Sequence, residues 1–357
     1  MTLRCVSLFS GCGGLDLGLT RAEFDIVFAN DNDPVCAESY KANDSTANFV
    51  LAPVEDLDES HFDATLREGP IDLLAGGPPC PPYSKSRFYR KEKPRGLEDP
   101  VGDATLNGYL RVLSVVQPRA FLFENVHGFA YKVHRAALDS LLQSVGELGF
   151  EAKWQVINAA DYGVPQIRER FIMVGVKEGI DFEFPDPTHS GAPDATLLRH
   201  ALEPWVTAGA AIGDLDTDEN ASDEGHYAGG KHHDLLRQVP PGDNYLYFTA
   251  ERGHPAPQFK WRSRYWSFLL KLSPDKPSWT IQARRSNNMG PFHWRNRILR
   301  IAEVKRLQTF PDEWVLAGTV EQQWRQLGNA VPPLLGQRLG EALAAALDPG
   351  QQGSGEL

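Results

Sequence analysis

Five short apolar runs constrain this chain more than any other feature: residues 6–9, 26–29, 71–75, 120–123 and 171–176. Each has the length of a buried strand, and most intervals between them can hold a helix. Residues 138–148 form one such interval, with apolar positions at helical spacing. Buried strands alternating with helices predict an α/β fold, a mostly parallel sheet covered on both faces. The pattern fills roughly the first half of the 357 residues and stops after Pro185. Residues 186–250 are rich in Gly, Pro, Asp and His and poor in periodic apolar runs, so a second domain is expected, as the length also suggests. Within it, residues 213–225 hold six acids and read as an exposed loop or disordered insertion. The Ala-rich segment 331–347, opened by Pro332 and Pro333, predicts a final amphipathic helix.

Composition narrows what such a fold can do. No apolar run approaches the ~18 residues of a membrane helix, and the N-terminus lacks a secretory apolar core with a cleavage site. A cytoplasmic protein without membrane contact is expected. The cysteines Cys5, Cys12, Cys36 and Cys80 are too few and scattered for a disulfide framework and form no C-x-x-C pair. Each is a small buried hydrophobe or a reactive thiol. The net charge is −11, yet residues 252–306 carry 13 Lys/Arg against only Asp275 and Glu303. That block is interleaved with Trp261, Tyr265, Trp266, Trp279 and Trp294. A basic, aromatic block in an acidic protein is a candidate phosphate-binding face.

Two motifs sit where strands end. FSGCGGLDLG (9–18) follows the first apolar run and precedes a helical stretch, so backbone amides can approach a nucleotide closely. Asp31 ends the second run about 20 residues on, where a carboxylate can hold ribose hydroxyls. A dinucleotide and another nucleoside cofactor remain equally allowed by these residues. GGPPCPPYS (76–84) follows the third run and frames Cys80 with prolines that restrict its backbone. FENV (123–126) follows the fourth, placing Glu124 at a strand end, where a half-dry cleft raises a carboxyl's pKa and suits it to donate a proton. QIRER (166–170) carries Arg168 and Arg170 at spacing two, on one side of a strand.

The order FSGCGG, GGPPC, ENV, QIRER, RLQTFPD (306–312) and QLGNAVPP (326–333) resembles the DNA (cytosine-5)-methyltransferase family, bacterial type. The motifs span the chain except for about residues 186–275. The resemblance implies a Rossmann-like S-adenosylmethionine-dependent methyltransferase sheet with a smaller, irregular target-recognition domain. It divides the chain into a catalytic cofactor-binding domain at 1–188, a target-recognition domain at 189–300, a hinge segment at 301–325 and a C-terminal return at 326–357.

The same resemblance implies the chemistry. Cys80 is the nucleophile that adds to cytosine carbon 6, Glu124 binds or protonates ring nitrogen 3, and Arg170 and Arg168 orient the glutamate and the base carbonyl and help hold the backbone, with Arg170 foremost on the flipped cytosine. S-adenosylmethionine is the methyl donor and S-adenosylhomocysteine the product. Phe9, Ser10, Gly11, Cys12, Gly13 and Gly14 face its methionine end and Asp31 its ribose; Asn32, Val54, Gly77, Pro79, Leu106, Asn329 and Val331 complete the pocket. The partner is duplex DNA, bound by a monomer, with a cognate restriction endonuclease as a further partner. Ser84, Lys85 and Arg87, in a loop at 81–104 that closes on DNA, and Arg284 and Arg285 are the phosphate-contact candidates. Departures from the family are Pro81 after the cysteine, Asn32 where an aromatic often stacks on adenine, and Pro53 in place of an acid, with Glu55 or Asp56 as substitutes. His226, His232 and His233 read as a flexible polar loop, since this chemistry needs no metal. The competing readings are a tRNA methyltransferase of the same family, a binding-only relative and a nucleotide-dependent oxidoreductase. The 90 or so residues between the halves favour DNA over RNA. Intact Cys80, Glu124 and Arg170 disfavour a binding-only protein, and the oxidoreductase leaves Pro-Pro-Cys, ENV and the basic block unexplained.

Overall fold

The five apolar runs become strands of one seven-stranded sheet. In the computed structural model, which describes residues 2–44, 46–79, 100–192, 202–220 and 224–348, these are β1 (Leu3–Leu8), β2 (Phe24–Asp31), β4 (Leu73–Gly76), β5 (Ala120–Val126) and β8 (Glu169–Lys177). Two edge strands join them, β3 (Asn48–Leu51) and β6 (Phe150–Asn158), and a two-residue β7 (Gln166–Ile167) precedes β8. The order is β3-β2-β1-β4-β5-β8-β6. The pairs among β1 to β5 are parallel, whereas β8 runs antiparallel to both β5 and β6. The chain thus starts mid-sheet, builds outward to β3, and crosses back to place β4 on the other side of β1. At such a switch point the carboxyl ends of the strands open a crevice.

Alternation along each strand splits the core. Cys5 and Ala29 face α1 (Gly14–Arg21), α2 (Pro34–Asn43) and α10 (Pro333–Leu347). Val6, Leu8 and Phe28 face the other way, toward α3 (Asp63–Arg67), α4 (Pro100–Val116) and α5 (Arg135–Glu147). The expected loop at 81–104 is corrected at its end, because α4 begins at Pro100; residues 80–99 lie outside the described residues. Among the described residues, no helix is long and apolar enough to cross a membrane.

A third apolar cluster lies beyond the sheet. It draws on α6 (Ala208–Ile212), α7 (His233–Gln238), α8 (Ile301–Leu307) and α9 (Val320–Asn329), with little regular strand: β9 (His189–Ser190), β10 (Glu203–Pro204) and β11 (Ser278–Trp279) have two residues each. Val304, Leu307, Phe310 and Trp324 belong to this cluster, so much of the 301–325 segment packs with the second unit. One expectation holds in part and one is corrected: residues 213, 214 and 217–219 of the acidic stretch are exposed, as a surface loop requires, but the stretch is not free. The acidic stretch, as far as Asn220, is folded back on the basic block: Asp214 pairs with Arg306 at 2.5 Å, and Asp216 accepts from Trp294 and Arg295 at 2.8 Å each. Opposite charge, distant in sequence, is what orders it. The histidines are not a flexible loop either. His233 is buried, stacked on Tyr227 with centroids 4.2 Å apart and bonded to the Ala228 carbonyl at 2.6 Å.

The C-terminal return is locked by backbone-to-backbone packing of α1 on α10. A Cβ built at Gly18 would stand 2.6 Å from the Gln337 nitrogen and 2.7 Å from the Gly336 carbonyl carbon. Neither is free to move. Gly18→Ala is therefore expected to destabilise the fold by about 1–3 kcal/mol. Gly146→Ala in α5, where a Cβ would meet nothing within 4 Å, should be neutral or stabilising by up to about 1 kcal/mol. Thermal melting of the two variants checks this, and equal effects would contradict the packing argument.

Candidate active site

The glycine-rich segment turns sharply where β1 ends. Phe9, Gly11 and Gly13 all adopt positive φ, at 56°, 56° and 84°. A left-handed phenylalanine is a strained choice, of the kind found at functional turns. Gly11 N–H donates to Asp31 Oδ2 at 2.9 Å, and Asp33 N–H to Oδ1 at 2.9 Å, so Asp31 is fixed beside the turn. Burial raises its pKa, opposed by these two bonds. Behind the turn, Ser10 Oγ donates to Ser7 Oγ at 3.0 Å and Ser7 Oγ to Asp16 Oδ1 at 2.6 Å. Asp16 is buried, and desolvation pushes its pKa up to about 6. Trp314 Nε1 donates to the Cys12 carbonyl at 3.0 Å, and a Cβ at Gly14 would meet the Val331 carbonyl at 2.5 Å. The turn is thereby held between the sheet and both C-terminal elements.

The other residues expected around a nucleoside cofactor are spread along the same crevice edge. Val54 and Leu106 are buried in one cluster, and Gly77 and Pro79 continue from β4. Asn32 and Asn329 are exposed. Glu55 and Asp56 are exposed on the short turn at Val54–Asp56, whose carbonyls at Val54 and Glu55 accept from Arg111 at 3.0 and 2.7 Å. This set fits a nucleoside cofactor: tight glycines, a fixed carboxylate on the next strand and apolar walls.

Glu124 stands at the end of β5, next to β4. Its Oε1 pairs with Arg170 Nε at 2.8 Å, and both side chains are about one-tenth exposed. The antiparallel register makes this contact, setting Arg170 opposite Val126, two residues from Glu124. A Cβ at Gly77 would lie 2.7 Å from Glu124 Oε2, so only glycine leaves the carboxyl its place. Asn125 Nδ2 donates to the Pro78 carbonyl at 3.2 Å, tying the two motifs together. Burial raises the Glu124 pKa, and the charges of Arg170 and Arg168 oppose it. Cys80 follows two residues after Pro78 and, with Ser84, Lys85 and Arg87, lies outside the described residues.

Arg168 and Arg170 are both buried and the intervening Glu169 is exposed, as spacing two requires. Their partners differ. Arg168 is wholly buried and donates to the carbonyls of Ile281 (3.2 Å), Gly328 (2.9 Å) and Ala330 (2.8 Å). It grips the backbone on either side of Asn329, a positioning role that its residue type and spacing alone did not disclose. Gln166, missed in the sequence, completes the junction: its amide donates to Gln308 Oε1 at 2.9 Å and accepts from Ile281 N–H at 2.9 Å.

The chain matches the C-5 cytosine-specific DNA methylase family over residues 3–345. It is 37% identical to the Type II methyltransferase M.SacI of Streptomyces achromogenes, across 97% of this chain and 93% of that protein. It is 32% identical to M.NgoFVII of Neisseria gonorrhoeae, across 92% and 83%. The chain belongs to the C-5 cytosine-specific DNA methylase family. It is a DNA (cytosine-5)-methyltransferase. The fold is also shared with solved structures of lower identity. The Dnmt2 methyltransferase of S. pombe superposes with a TM-score of 0.62 at 19% identity, covering 98% of this chain and 99% of that one. A DNA modification methyltransferase encoded within an E. coli prophage gives 0.67 at 23%, covering 97% and 99%.

In this methylase, three of the four thiols are buried and disfavoured as thiolates. Cys5, Cys12 and Cys36 are buried and free, and desolvation raises all three, Cys12 to about 12. Of the three arginines expected on DNA, Arg87 lies outside the described residues, Arg284 is exposed, and Arg285 is mostly covered and bonded to Glu321 (3.2 Å) and the Gly225 carbonyl (2.7 Å).

Replacing Arg168 by Met removes a donor from three buried carbonyls. The methylase should lose about 3 kcal/mol or more of stability, read as a lower urea midpoint. An unchanged midpoint would show that the grip around Asn329 is dispensable.

Proposed function

We propose that this methylase transfers a methyl group from S-adenosylmethionine to carbon 5 of cytosine within a specific duplex sequence, by base flipping and a covalent Cys80–carbon 6 intermediate. Carbon 5 is too weak a nucleophile to take a methyl group unaided. In this reading the Cys80 thiolate bonds to carbon 6, and the displaced electron density moves toward nitrogen 3, where Glu124 binds or supplies a proton. Carbon 5 then bonds the methyl group. Loss of its proton and expulsion of the thiolate restore the ring. When bound, S-adenosylmethionine supplies an electrophilic methyl group and leaves as S-adenosylhomocysteine. Phe9 to Gly14 and Asp31 would hold it, with Val54, Gly77, Pro79, Leu106, Asn329 and Val331 around it.

The observation that carries this reading is Glu124: a buried carboxyl with a raised pKa, aligned by Arg170 and seated against Gly77, three residues before Cys80. The burial of the other three thiols supports Cys80 as nucleophile. Arg170 orients the carboxyl, and Arg168 positions the Asn329 loop. Extruding the base costs about a few kcal/mol. Ser84, Lys85, Arg87 and Arg284 would grip phosphates, and Arg285 would do so only by leaving Glu321. Relatives named as Type II methyltransferases support a place in a restriction–modification system beside a cognate endonuclease. In this reading the enzyme acts on DNA as a monomer.

Labelled methyl transfer to duplex DNA and to tRNA tests it. Wild type should label carbon 5 of DNA cytosine, Cys80→Ala should not, and Glu124→Gln should be slower by about 10²–10⁴-fold. Label on tRNA alone, or full activity without the thiol, would overturn the reading.

A further inference from the structure

Most cations of the basic block are spent inside the protein. Arg252, Arg285, Arg295, Arg297 and Arg306 sit in ion pairs, and the buried Lys271 donates to the Val239 carbonyl. The segment 260–266, Lys-Trp-Arg-Ser-Arg-Tyr-Trp, gathers three cations of the block that have no acidic partner among the described residues. All seven residues are exposed, including Trp261 (40%), Tyr265 (54%) and Trp266 (53%). Among the described residues, neither Arg262 nor Arg264 has an acidic partner. Their guanidinium carbons lie 5.9 Å from the Trp261 ring centroid and 5.8 Å from that of Phe268. Exposed indoles and uncompensated arginines, alternating along one strip, are costly on a surface that binds nothing.

The strip's side chains are exposed, but its backbone is fixed. Buried Tyr245 donates its hydroxyl to the Arg264 carbonyl at 2.9 Å and accepts from Arg264 N–H at 3.2 Å. Buried Asn244 donates to the Trp266 carbonyl at 2.8 Å, and Ser263 Oγ to the Lys260 carbonyl at 2.7 Å. Arg262 is held at φ 53°, a left-handed conformation that a non-glycine residue adopts at a cost. The strip borders a cleft of about 1140 Å³ with Lys231 and Arg252 on its rim. It is also connected to the catalytic sheet. Trp266 packs edge-on against Trp279 at 5.7 Å, and Trp279 in β11 pairs with Ile167 in β7, three residues before Arg170. The strip is thereby linked, through two contacts, to the stretch of chain that leads into Arg170.

We propose that Arg262 and Arg264 read base edges of the target sequence, with Trp261, Tyr265 and Trp266 packing beside them as a rigid recognition strip. The assignment rests on the chain acting on duplex DNA as proposed above. A planar guanidinium can donate two parallel bonds to a guanine edge, whereas a lysine at the same place keeps the charge but loses the fork.

Single variants Arg262→Ala, Arg262→Lys, Arg264→Ala and Arg264→Lys separate reading from simple charge. The probe is unmethylated genomic DNA, with every 5-methylcytosine mapped after reaction and S-adenosylmethionine affinity measured alongside. Each alanine variant is expected to lose about five- to a hundredfold in kcat/KM at the wild-type sequence. It should also gain methylation at sequences differing by one base pair. The lysine variants should recover DNA affinity at low salt yet keep the relaxed sequence spectrum, and cofactor affinity should not move. An unchanged spectrum in all four overturns the assignment. So does a uniform loss over all sequences, rescued by lysine, with a shallower salt dependence, because that is phosphate contact alone. A wild-type enzyme that methylates no cytosine in this DNA would instead contradict the function on which the assignment rests.

Discussion

The rest of the architecture depends on how the Arg168 guanidinium is satisfied. A cation with no exposed surface is stable only where acceptors converge on it, and here they are carbonyls from two distant parts of the chain. Ile281 belongs to the second unit, Gly328 and Ala330 to the C-terminal return, and Arg168 itself to the approach to β8. The neighbouring Gln166 repeats the pattern with Gln308 and Ile281. The same few residues then lead into Arg170 and its ion pair with Glu124. A single crossing of the chain therefore sets the second unit, the Asn329 loop and Glu124 relative to one another.

Much of this was legible in the sequence, for identifiable reasons. Buried parallel strands need unbroken apolar runs, so β1, β2, β4, β5 and β8 announced themselves. β6 did not, because an edge strand with alternating exposure, such as Trp154 half in solvent, has no such run. Glycine-rich turns and proline-framed segments mark strand ends locally, which is why the FSGCGG and ENV residues fall at the crevice edge. What depends on pairing across the chain was hidden. Arg168 looks like any strand arginine until carbonyls more than 100 residues away are placed beside it. Gln166 opens the QIRER motif, but nothing local to that motif says that its amide bonds Gln308 and Ile281.

Charge shows the same limit from another side. The sequence separates an acidic stretch from a basic block, and the fold brings them together: Asp214 and Asp216 neutralise Arg306 and Arg295. At the buried Arg297–Glu303 pair, bonded at 2.9 and 2.6 Å, the charge is structural and carries no long-range field. A block that reads as strongly basic thus presents far fewer free cations than its composition suggests. Those that stay uncompensated gain meaning by their scarcity.

The covalent step is the centre of this account, and it can be trapped directly. Duplex DNA carrying 5-fluorocytosine in place of cytosine allows thiolate addition and methylation, but the fluorine cannot leave as a proton does, so elimination stalls. Incubated with S-adenosylmethionine, the wild-type chain should form a complex that survives denaturation, with the DNA attached to the peptide containing Cys80, and Cys80→Ser should form none. No stable complex, attachment at another residue, or an equal yield from the serine variant would contradict the account.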